Sequence, residues 1–275
     1  MVRIEKTGAV WTIIHSRFEA ARNAMDPESA DALVAAFKAF DSDPSASVAV
    51  LWGEGGAFCA GWDLKYASTL SDREAFQKDM VEGLAFPTGA NPAPRGPLGP
   101  TRLELSKPVI GAVEGPAVAG GMELALWCDI RVMAESAYFG VYCRRWGIPL
   151  LDGGSVRLTR LVGQGRAMEI ILTGARCQLR RLFASACVNS WWRTAARGRR
   201  PRRWPTISPA FPRRRCGQTA VQCWKPMAWA CVKLCAANGP MVSRRTTRKV
   251  LTALPALPAA WAAMVILRKF KAGTT

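Results

Sequence analysis

The chain has 275 residues and carries 38 Lys and Arg against 20 Asp and Glu, a formal net charge of +18; its length allows one large domain or two small ones. A charge this basic favours a nucleic-acid or membrane-surface partner. Residues 176–275 hold 21 of the basic residues and no Asp or Glu, so the basic excess lies entirely there. The charge of residues 1–175 therefore does not indicate a protein that binds nucleic acid or membranes. No uninterrupted apolar run reaches the ~18 residues of a membrane span.

The N-terminal residues predict a β-hairpin, a helix and a third strand. Val2–Lys6 and Ala9–His15 flank Thr7-Gly8 with the alternation typical of paired strands. Asp26-Pro27-Glu28 opens a helix that runs through Phe40, because proline suits a first helical turn and apolar residues recur on one face. Val48–Trp52 follows as a short buried strand.

The middle of the chain contains two turns that are rich in small residues. The first, Ala57–Leu64, follows the third strand, and a polar helix is expected near Ser71–Leu84. The second begins at Gly115, directly after a buried strand over Pro108–Val113. Between them, Phe86–Pro100 holds five prolines and three glycines, which predicts a mobile loop.

The remaining pattern alternates short strands with helices. A helix is expected from Gly120 to Trp127, followed by strands over Asp129–Ala134 and Ala137–Gly140. Two further helices are expected over Gly153–Leu161 and Gln164–Thr173. Strands and helices alternating at this spacing predict an α/β domain with crossover connections.

The two turns have a composition that suits the binding of a ligand oxygen. Each combines small residues with a nearby carboxylate just after a strand. Glycine and alanine let the main chain approach a ligand, and a helix N-terminus adds unpaired N–H groups and the positive end of a dipole. Two such turns that converge on one carbonyl would form an oxyanion hole.

The order of these motifs resembles a known family. Phe58-x-Ala-Gly-x-Asp-Leu is followed by Lys107-Pro-Val-Ile and by Gly-Gly-x-Glu-Leu-Ala-Leu-x-Cys-Asp-Ile-Arg over residues 120–131. Arg22-Asn-Ala, Gly147-Ile-Pro and Arg166-Ala-Met keep the same order and spacing. Together, from about residue 10 to 175, they resemble the crotonase superfamily of enoyl-CoA hydratases and isomerases.

The resemblance implies a fold, a substrate class and a set of catalytic groups. The fold would be a spiral of ββα repeats, the substrate a coenzyme A thioester, and the assembly a homotrimer or a dimer of trimers. By position, the two backbone donors to the thioester oxygen fall on Ala60 and Gly120, and an acid/base glutamate falls on Glu123. Donors of this kind stabilise the developing charge by roughly 2.7–4 kcal/mol each.

The chain departs from the family at the second catalytic carboxylate. That position falls on Cys143, and a thiol with a pKa of about 8.5 is a poor substitute for a carboxylate. Asp152 matches a working aspartate of the dienoyl-CoA isomerases and of an aryl-CoA dehalogenase, and it is predicted to be a second acid/base. The alternative is that Asp152 is the N-cap of the helix that starts at Gly153.

Further residues are candidates for binding the substrate. The resemblance places Arg22 near the phosphates of coenzyme A. Trp62, Trp146 and the Phe86–Pro100 loop are expected to line the acyl pocket. The binding candidates are Arg22, Ala24, Ala60, Gly61, Trp62, Asp63, Leu64, Gly120, Cys143 and Trp146. Asp63 and Asp129 are also typical of structural carboxylates, and His15 of a residue at the core edge.

No metal and no separate cofactor are expected, because the oxyanion hole supplies the electrophilic help and coenzyme A is part of the substrate. Nine cysteines without a CxxC pair, and a single histidine, do not form a zinc motif. Met1 leads directly into the first strand pattern without a signal peptide, so the expected location is the cytoplasm with reduced thiols.

Residues 176–275 form a second region of doubtful fold. In the family, this part of the chain is the helical region that builds the trimer. Its replacement here puts the formation of a trimer in question. One hypothesis is that this region is translated out of frame. Val221–Ser243 can be back-translated with allowed codons and then translated again in the frame that starts at the third base of each codon. One such choice of codons gives an acid-containing, helix-like sequence, in which Trp224-Lys225 must yield Glu. The coding DNA tests it, since the hypothesis requires an insertion or deletion near codon 176.

The competing hypothesis is a genuine basic appendage. Arginine runs interleaved with Trp191, Trp192 and Trp204 would bind single-stranded nucleic acid by phosphate neutralisation and stacking, or an anionic membrane surface. Because the segment shows neither a recognisable binding fold nor a repeat, nucleic acid and membrane are the less favoured partners.

The sequence therefore predicts an acyl-CoA enzyme core that hydrates an enoyl-CoA or shifts its double bond. Ala60 and Gly120 would donate to the enolate oxygen, Glu123 would move the proton, and Asp152 would assist. A double-bond isomerase that uses a single base is the nearest alternative, because its activity would not need the carboxylate that is missing at Cys143. A non-catalytic product of the altered reading frame is the alternative from another class.

Overall fold

A computed structural model describes residues 2–69 and 94–192 of the chain. Its strands are β1 Val2–Thr7, β2 Val10–His15, β3 Val48–Gly53, β4 Val109–Val113, β5 Pro116–Val118, β6 Ile130–Ala134, β7 Tyr138–Gly140, β8 Cys177–Gln178 and β9 Ser190–Trp192. Its helices are α1 Phe18–Ala21, α2 Pro27–Ser42, α3 Leu64–Thr69, α4 Gly120–Trp127, α5 Gly154–Val162, α6 Gln164–Thr173 and α7 Leu179–Ala184. Two 3₁₀ turns cover Pro100–Arg102 and Tyr142–Trp146.

The strands form two sheets. The larger has the order β1-β2-β3-β4-β6-β9, in which β1 and β2 are an antiparallel hairpin and all other neighbours are parallel. The smaller has the order β5-β7-β8. Strands β3 and β4 are buried at every residue, as expected for parallel strands that are covered on both faces.

Successive parts of the chain repeat one ββα unit. Strand β4 lies in the large sheet, β5 in the small sheet, and α4 follows; β6 and β7 repeat this order before the second 3₁₀ turn. The unit before them runs from β3 to α3, and its middle residue Cys59 forms a parallel bridge with Ala117 of β5. The expected α/β spiral of ββα repeats is confirmed.

Most predicted elements are present within one or two residues of their expected bounds. Helix α2 is capped by Asp26, whose Oδ1 accepts a hydrogen bond from Ser29 N–H at 2.9 Å, and it buries Leu33, Phe37 and Phe40. These side chains join the main core, where the Phe37 ring meets the Trp127 ring edge-on at 4.9 Å. The expected helix over 71–84 and most of the loop over 86–100 lie outside the described residues.

The fold continues past residue 175 in elements that the sequence analysis did not predict. Strand β8, helix α7 and strand β9 have two to six residues each, too few to show a hydrophobic period. Long-range contacts define them instead: Arg131 Nε donates to the Cys187 carbonyl oxygen at 2.7 Å, and Arg131 N–H donates to Asn189 Oδ1 at 2.9 Å. The division of the chain at residue 175 stays a prediction, and both hypotheses for the tail concern residues that lie mostly outside the described ranges.

Within the two described ranges, no helix has the length and apolar character needed to cross a lipid bilayer. The cysteines of this part of the chain, Cys59, Cys128, Cys143, Cys177 and Cys187, are all buried free thiols.

His15, at the end of β2, is expected to make the fold sensitive to acid. His15 is 1% exposed, and neither ring nitrogen has a hydrogen-bond partner among the residues that the structure describes. Burial, aided by the charge of Arg17, lowers the pKa of His15 to about 4. The unfolded chain binds a proton at His15 near pH 6.5, whereas the folded chain does not. The contribution of neutral, buried His15 to the free energy of unfolding is therefore complete above pH 6.5 and is lost as the pH falls towards 4.

The measurement is urea unfolding of the parent and of His15→Leu at pH 7 and pH 4. The unfolding free energy of the parent should fall more than that of the variant, by roughly 2–3 kcal/mol. Equal losses in the two proteins would show that His15 does not carry the acid sensitivity.

Candidate active site

The two glycine-containing turns meet directly. A Cβ atom added at Gly61 would lie 3.0 Å from Ala119 Cβ and 3.1 Å from Gly120 N, and one added at Gly121 would overlap the Cys59 carbonyl oxygen. Gly61 also has a φ of +92°, in the region that favours glycine. Glycine is therefore required here for the close approach of the two main chains, as the sequence predicted.

A cavity of about 240 Å³ opens where these turns meet. Its wall is mostly apolar and aromatic, and two carboxylates reach it. The lining residues are Ala60, Trp62, Leu64, Pro97, Leu98, Val118, Ala119, Gly120, Glu123, Tyr142, Cys143, Trp146, Ile148, Pro149, Leu151 and Asp152. A mostly apolar cleft with a few converging polar groups is the usual form of a small-molecule site.

The Gly120 N–H is available to a ligand in this cavity. Gly120 is the first residue of α4, so its N–H has no acceptor within the helix. Ala119 precedes it at a φ of 52°, an uncommon conformation for alanine that belongs to the turn from β5 into α4. Among the described residues no acceptor is found for the Gly120 N–H, which supports its predicted role as a donor.

The Ala60 N–H does not point to the same place. The Cys59 carbonyl oxygen accepts a hydrogen bond from Val118 N–H of β5 at 3.1 Å. A trans peptide holds its C=O and N–H in opposite directions, and every described peptide bond is trans. The Ala60 N–H therefore points away from β5, and the geometry does not support Ala60 as the first backbone donor.

The geometry favours Trp62 N–H as the first donor instead. The Gly61 carbonyl oxygen accepts from Met25 N–H at 2.7 Å, and Asp63 N–H donates to the Met25 carbonyl oxygen at 2.8 Å. By the same peptide geometry, Trp62 N–H points away from Met25, towards the side of the turn where β5 and Gly120 lie. The donor pair that the structure brings together is therefore Trp62 N–H and Gly120 N–H.

Glu123 and Asp152 face the cavity from adjoining elements. Both are nearly fully buried. Glu123 Oε1 accepts hydrogen bonds from the N–H groups of Asp152 at 2.9 Å and Gly154 at 2.8 Å. Asp152 Oδ1 accepts from Leu98 N–H at 3.1 Å and from the Thr101 hydroxyl. The N-cap of α5 is Gly153, with no side-chain cap, so the N-cap interpretation of Asp152 is wrong.

The two carboxylates share one electrostatic environment. Burial, and then the charge of Asp152, raises the pKa of Glu123 well above its usual range. Burial also raises the pKa of Asp152, although its hydrogen bonds and the charges of Arg102 and Arg157 oppose the shift. Two like charges in one buried cluster oppose each other's ionisation, which favours the state in which one of the two carboxyls keeps a proton.

Cys143 lies in the cavity wall, in the 3₁₀ turn that follows β7. Burial raises the pKa of its thiol to about 12. The thiol is therefore protonated at neutral pH and does not replace a carboxylate. The three aromatic and apolar binding candidates, Trp62, Leu64 and Trp146, line the same cavity, and Trp146 is 43% exposed.

Four binding candidates, Arg22, Ala24, Gly61 and Asp63, are not among the residues that line this cavity. Arg22 is exposed at the left-handed end of α1, and Ala24 is buried beneath the same turn. The role of Arg22 at the coenzyme A phosphates and that of Ala24 in binding the substrate therefore stay predictions.

Asp63 and Asp129 act as structural carboxylates. Asp63 Oδ1 accepts from the N–H groups of Lys65 and Tyr66 at the start of α3, and its Oδ2 pairs with Arg17 at 3.0 Å. Asp129 Oδ2 accepts from Val109 N–H at 2.8 Å, which joins two neighbouring strands of the large sheet. This confirms the structural interpretation of both residues.

Sequence reasoning singled out none of the three residues that surround Asp152. Leu98 belongs to the Phe86–Pro100 segment that was expected to be a loop at the acyl pocket, Thr101 directly follows that segment, and Arg157 lies on α5. Their only signal was the pair Gly96 and Gly99, whose N–H and C=O groups bond each other at 3.0 and 2.9 Å in a tight turn.

Within the described part of the chain, no group of three or more His, Cys, Asp or Glu side chains is placed to hold a metal ion. A reaction without a metal or a separate cofactor stays a prediction.

Known proteins share this sequence pattern and fold. A family model for enoyl-CoA hydratase/isomerase matches residues 5–86 and 100–182. The chain is 37% identical over 178 residues to enoyl-CoA hydratase EchA19 of Mycobacterium tuberculosis, covering 62% of this chain and 60% of that protein. It is 37% identical over 171 residues to a probable enoyl-CoA hydratase of Rhizobium meliloti, covering 62% and 60%.

Among solved structures, an enoyl-CoA hydratase from Mycobacterium tuberculosis H37Rv aligns with a TM-score of 0.59 and 27% identity, covering 96% of this chain and 86% of that chain. The chain spans about 60% of the length of the two curated relatives that it matches.

Proposed function

Because the chain belongs to the enoyl-CoA hydratase/isomerase family, as its motifs indicated, we propose that it transforms a coenzyme A thioester through an enolate. The observation that carries the proposal is that two unpartnered N–H groups of the described chain, on Trp62 and Gly120, lie in one cavity with two buried carboxylates. An enolate oxygen held by two such donors is stabilised where its charge develops.

The reaction that this set of groups fits best is the addition of water to an enoyl-CoA. Asp152, as the ionised carboxylate, takes a proton from water while the oxygen bonds to Cβ. The enolate electrons then return to Cα, which receives the proton held by Glu123. Among the described residues, the second oxygen of each carboxylate accepts no hydrogen bond, so it is free to contact water or substrate.

A double-bond isomerase remains the second candidate, and a specific feature favours it. Glu123 Oε1 is bonded to the backbone of Asp152 itself, so the carboxylates form one cluster, and the neutral Cys143 occupies the position of the second family carboxylate. One carboxylate can then carry a proton from Cα to Cγ without adding water.

The assembly and setting of the enzyme belong to the same proposal. A cytoplasmic homotrimer or hexamer acting in fatty acid or related acyl-CoA metabolism is what the family implies. A tail that departs from the family would interfere with that assembly and would leave a non-catalytic product. Size-exclusion chromatography of the full chain distinguishes a trimer from that outcome.

The test is turnover of crotonyl-CoA and of longer 2-enoyl-CoA and 3-enoyl-CoA thioesters by the full chain in H₂¹⁸O. Hydration removes the absorbance of the conjugated thioester and places ¹⁸O in the product. Isomerisation of a 3-enoyl-CoA creates that absorbance without ¹⁸O. An absence of both changes across the series would refute the proposal.

A further inference from the structure

Thr101 contacts Asp152 of the carboxylate pair, and it is a residue that the sequence analysis did not single out. Its side chain is 1% exposed, and its hydroxyl is hydrogen-bonded to Asp152 Oδ1. Leu98 N–H reaches the same oxygen at 3.1 Å. Gly96 makes room for this contact, because a Cβ atom there would overlap both Thr101 Oγ1 and Asp152 Oδ1.

The backbone of Thr101 is fixed relative to that of Asp152. Arg157 Nη2 donates to the Thr101 carbonyl oxygen at 2.7 Å, and Arg157 Nη1 donates to the Asp152 carbonyl oxygen. One guanidinium therefore joins the two segments that carry the hydroxyl and the carboxylate. A planar guanidinium with several donors in a fixed geometry is well suited to this task.

The surroundings of the two carboxylates differ. Glu123 accepts only backbone N–H groups from the described residues, whereas Asp152 accepts one N–H and one hydroxyl. The charged and titratable groups that act on Asp152 are Glu123, Cys59, Arg102 and Arg157, and Cys143 and Arg157 act on Glu123. Two neutral donors favour an ionised Asp152, the Leu98 N–H and the Thr101 hydroxyl, and the hydroxyl is the one that belongs to a side chain.

Building on the proposed function, we propose that Thr101 is a positioning residue whose hydrogen bond holds Asp152 as the ionised carboxylate and thereby leaves the shared proton on Glu123. The hydrogen bond occupies Oδ1, so the second oxygen, Oδ2, remains for water. The consequence is a division of roles: Asp152 accepts the proton of water, and Glu123 gives its proton to carbon. Without the hydroxyl, the proton distributes over both carboxylates and the fraction of the reactive form falls.

The experiment compares Thr101→Val with the parent in the full chain. Valine keeps the shape of threonine and removes the donor, and hydrogen bonds to charged groups predict a shift of about one to two pH units. The acidic limb of kcat/KM, which reports the base in the free enzyme, should move to higher pH by that amount. The Asp152 carboxyl midpoint in a ¹³C NMR titration should move with it.

Two variants complete the design. Thr101→Ser keeps a hydroxyl and should restore the parent profile, and Thr159→Val removes an exposed hydroxyl that bonds only within α5 and should change neither readout. If Thr101→Val does not fold, Thr101→Ala takes its place. A folded variant without the hydroxyl but with the parent midpoint overturns the proposal. The NMR titration needs no turnover, so an inactive parent would refute the proposed function and leave this test intact.

Discussion

Replacing Trp62 by proline is expected to lower kcat on an enoyl-CoA by about 10²–10³-fold, the usual cost of losing one oxyanion donor. Proline removes the N–H that points towards Gly120. It removes no structural hydrogen bond of this turn, because the pairing with Met25 uses the Gly61 carbonyl and the Asp63 N–H. Steady-state kinetics give kcat and KM, and circular dichroism shows whether the variant folds.

Two controls assign the loss to the N–H itself. Trp62→Ala keeps the donor and removes the indole, so it should change KM more than kcat. Ala60→Pro removes the N–H that points away from β5 and should retain most of kcat. The opposite result, a large loss in Ala60→Pro and a small one in Trp62→Pro, would restore Ala60 as the donor. Replacing the Gly61–Trp62 peptide bond by an ester removes the N–H and keeps the indole side chain. A loss of kcat in this variant would assign the effect to the N–H without the use of proline.

The sequence analysis placed the first donor at Ala60, two residues before the N–H that the geometry favours, and the reason for this difference is geometric. Ala60 and Trp62 are two residues apart, so in an extended chain their N–H groups would point to the same side. Gly61 lies between them at a φ of +92° and interrupts that alternation, so the choice depends on which neighbour each preceding carbonyl contacts. Cys59 bonds to β5, whereas Gly61 bonds to Met25, a residue from a distant part of the chain. No local pattern contains that information. The glycine requirement was visible, because close approach leaves no other choice of residue.

A similar limit applies to Asp152. The sequence indicated a carboxylate in front of a glycine pair, which is equally typical of a helix cap and of a catalytic group. The structure resolves this through Leu98 and Thr101, which lie more than fifty residues earlier in the chain. The regular elements of the core were predictable because their apolar periodicity is local. The short elements after residue 175 were not, because their boundaries depend on contacts such as that of Arg131 with Cys187.

Glu123→Gln is expected to lower kcat by about 10²–10⁴-fold, the usual contribution of a positioned acid or base. Glutamine keeps an oxygen that can accept from Asp152 and Gly154 N–H, so the local structure should persist, but it has no proton to give to carbon. Glu135→Gln, an exposed residue between β6 and β7, is the matched control and should keep the parent rate. Equal rates for the parent and Glu123→Gln would remove Glu123 from the mechanism.

The same variant should also change how stability depends on pH, which separates lost chemistry from lost structure. Burial and the charge of Asp152 raise the pKa of Glu123 above its unfolded value, so the folded chain keeps a proton that the unfolded chain releases. The unfolding free energy of the parent should therefore fall as the pH rises above about 4.3, until the folded carboxyl itself ionises. Glutamine removes this dependence. Urea unfolding at pH 5 and pH 8 should show the variant gaining stability relative to the parent at the higher pH, and parallel curves would show that Glu123 does not hold the buried proton.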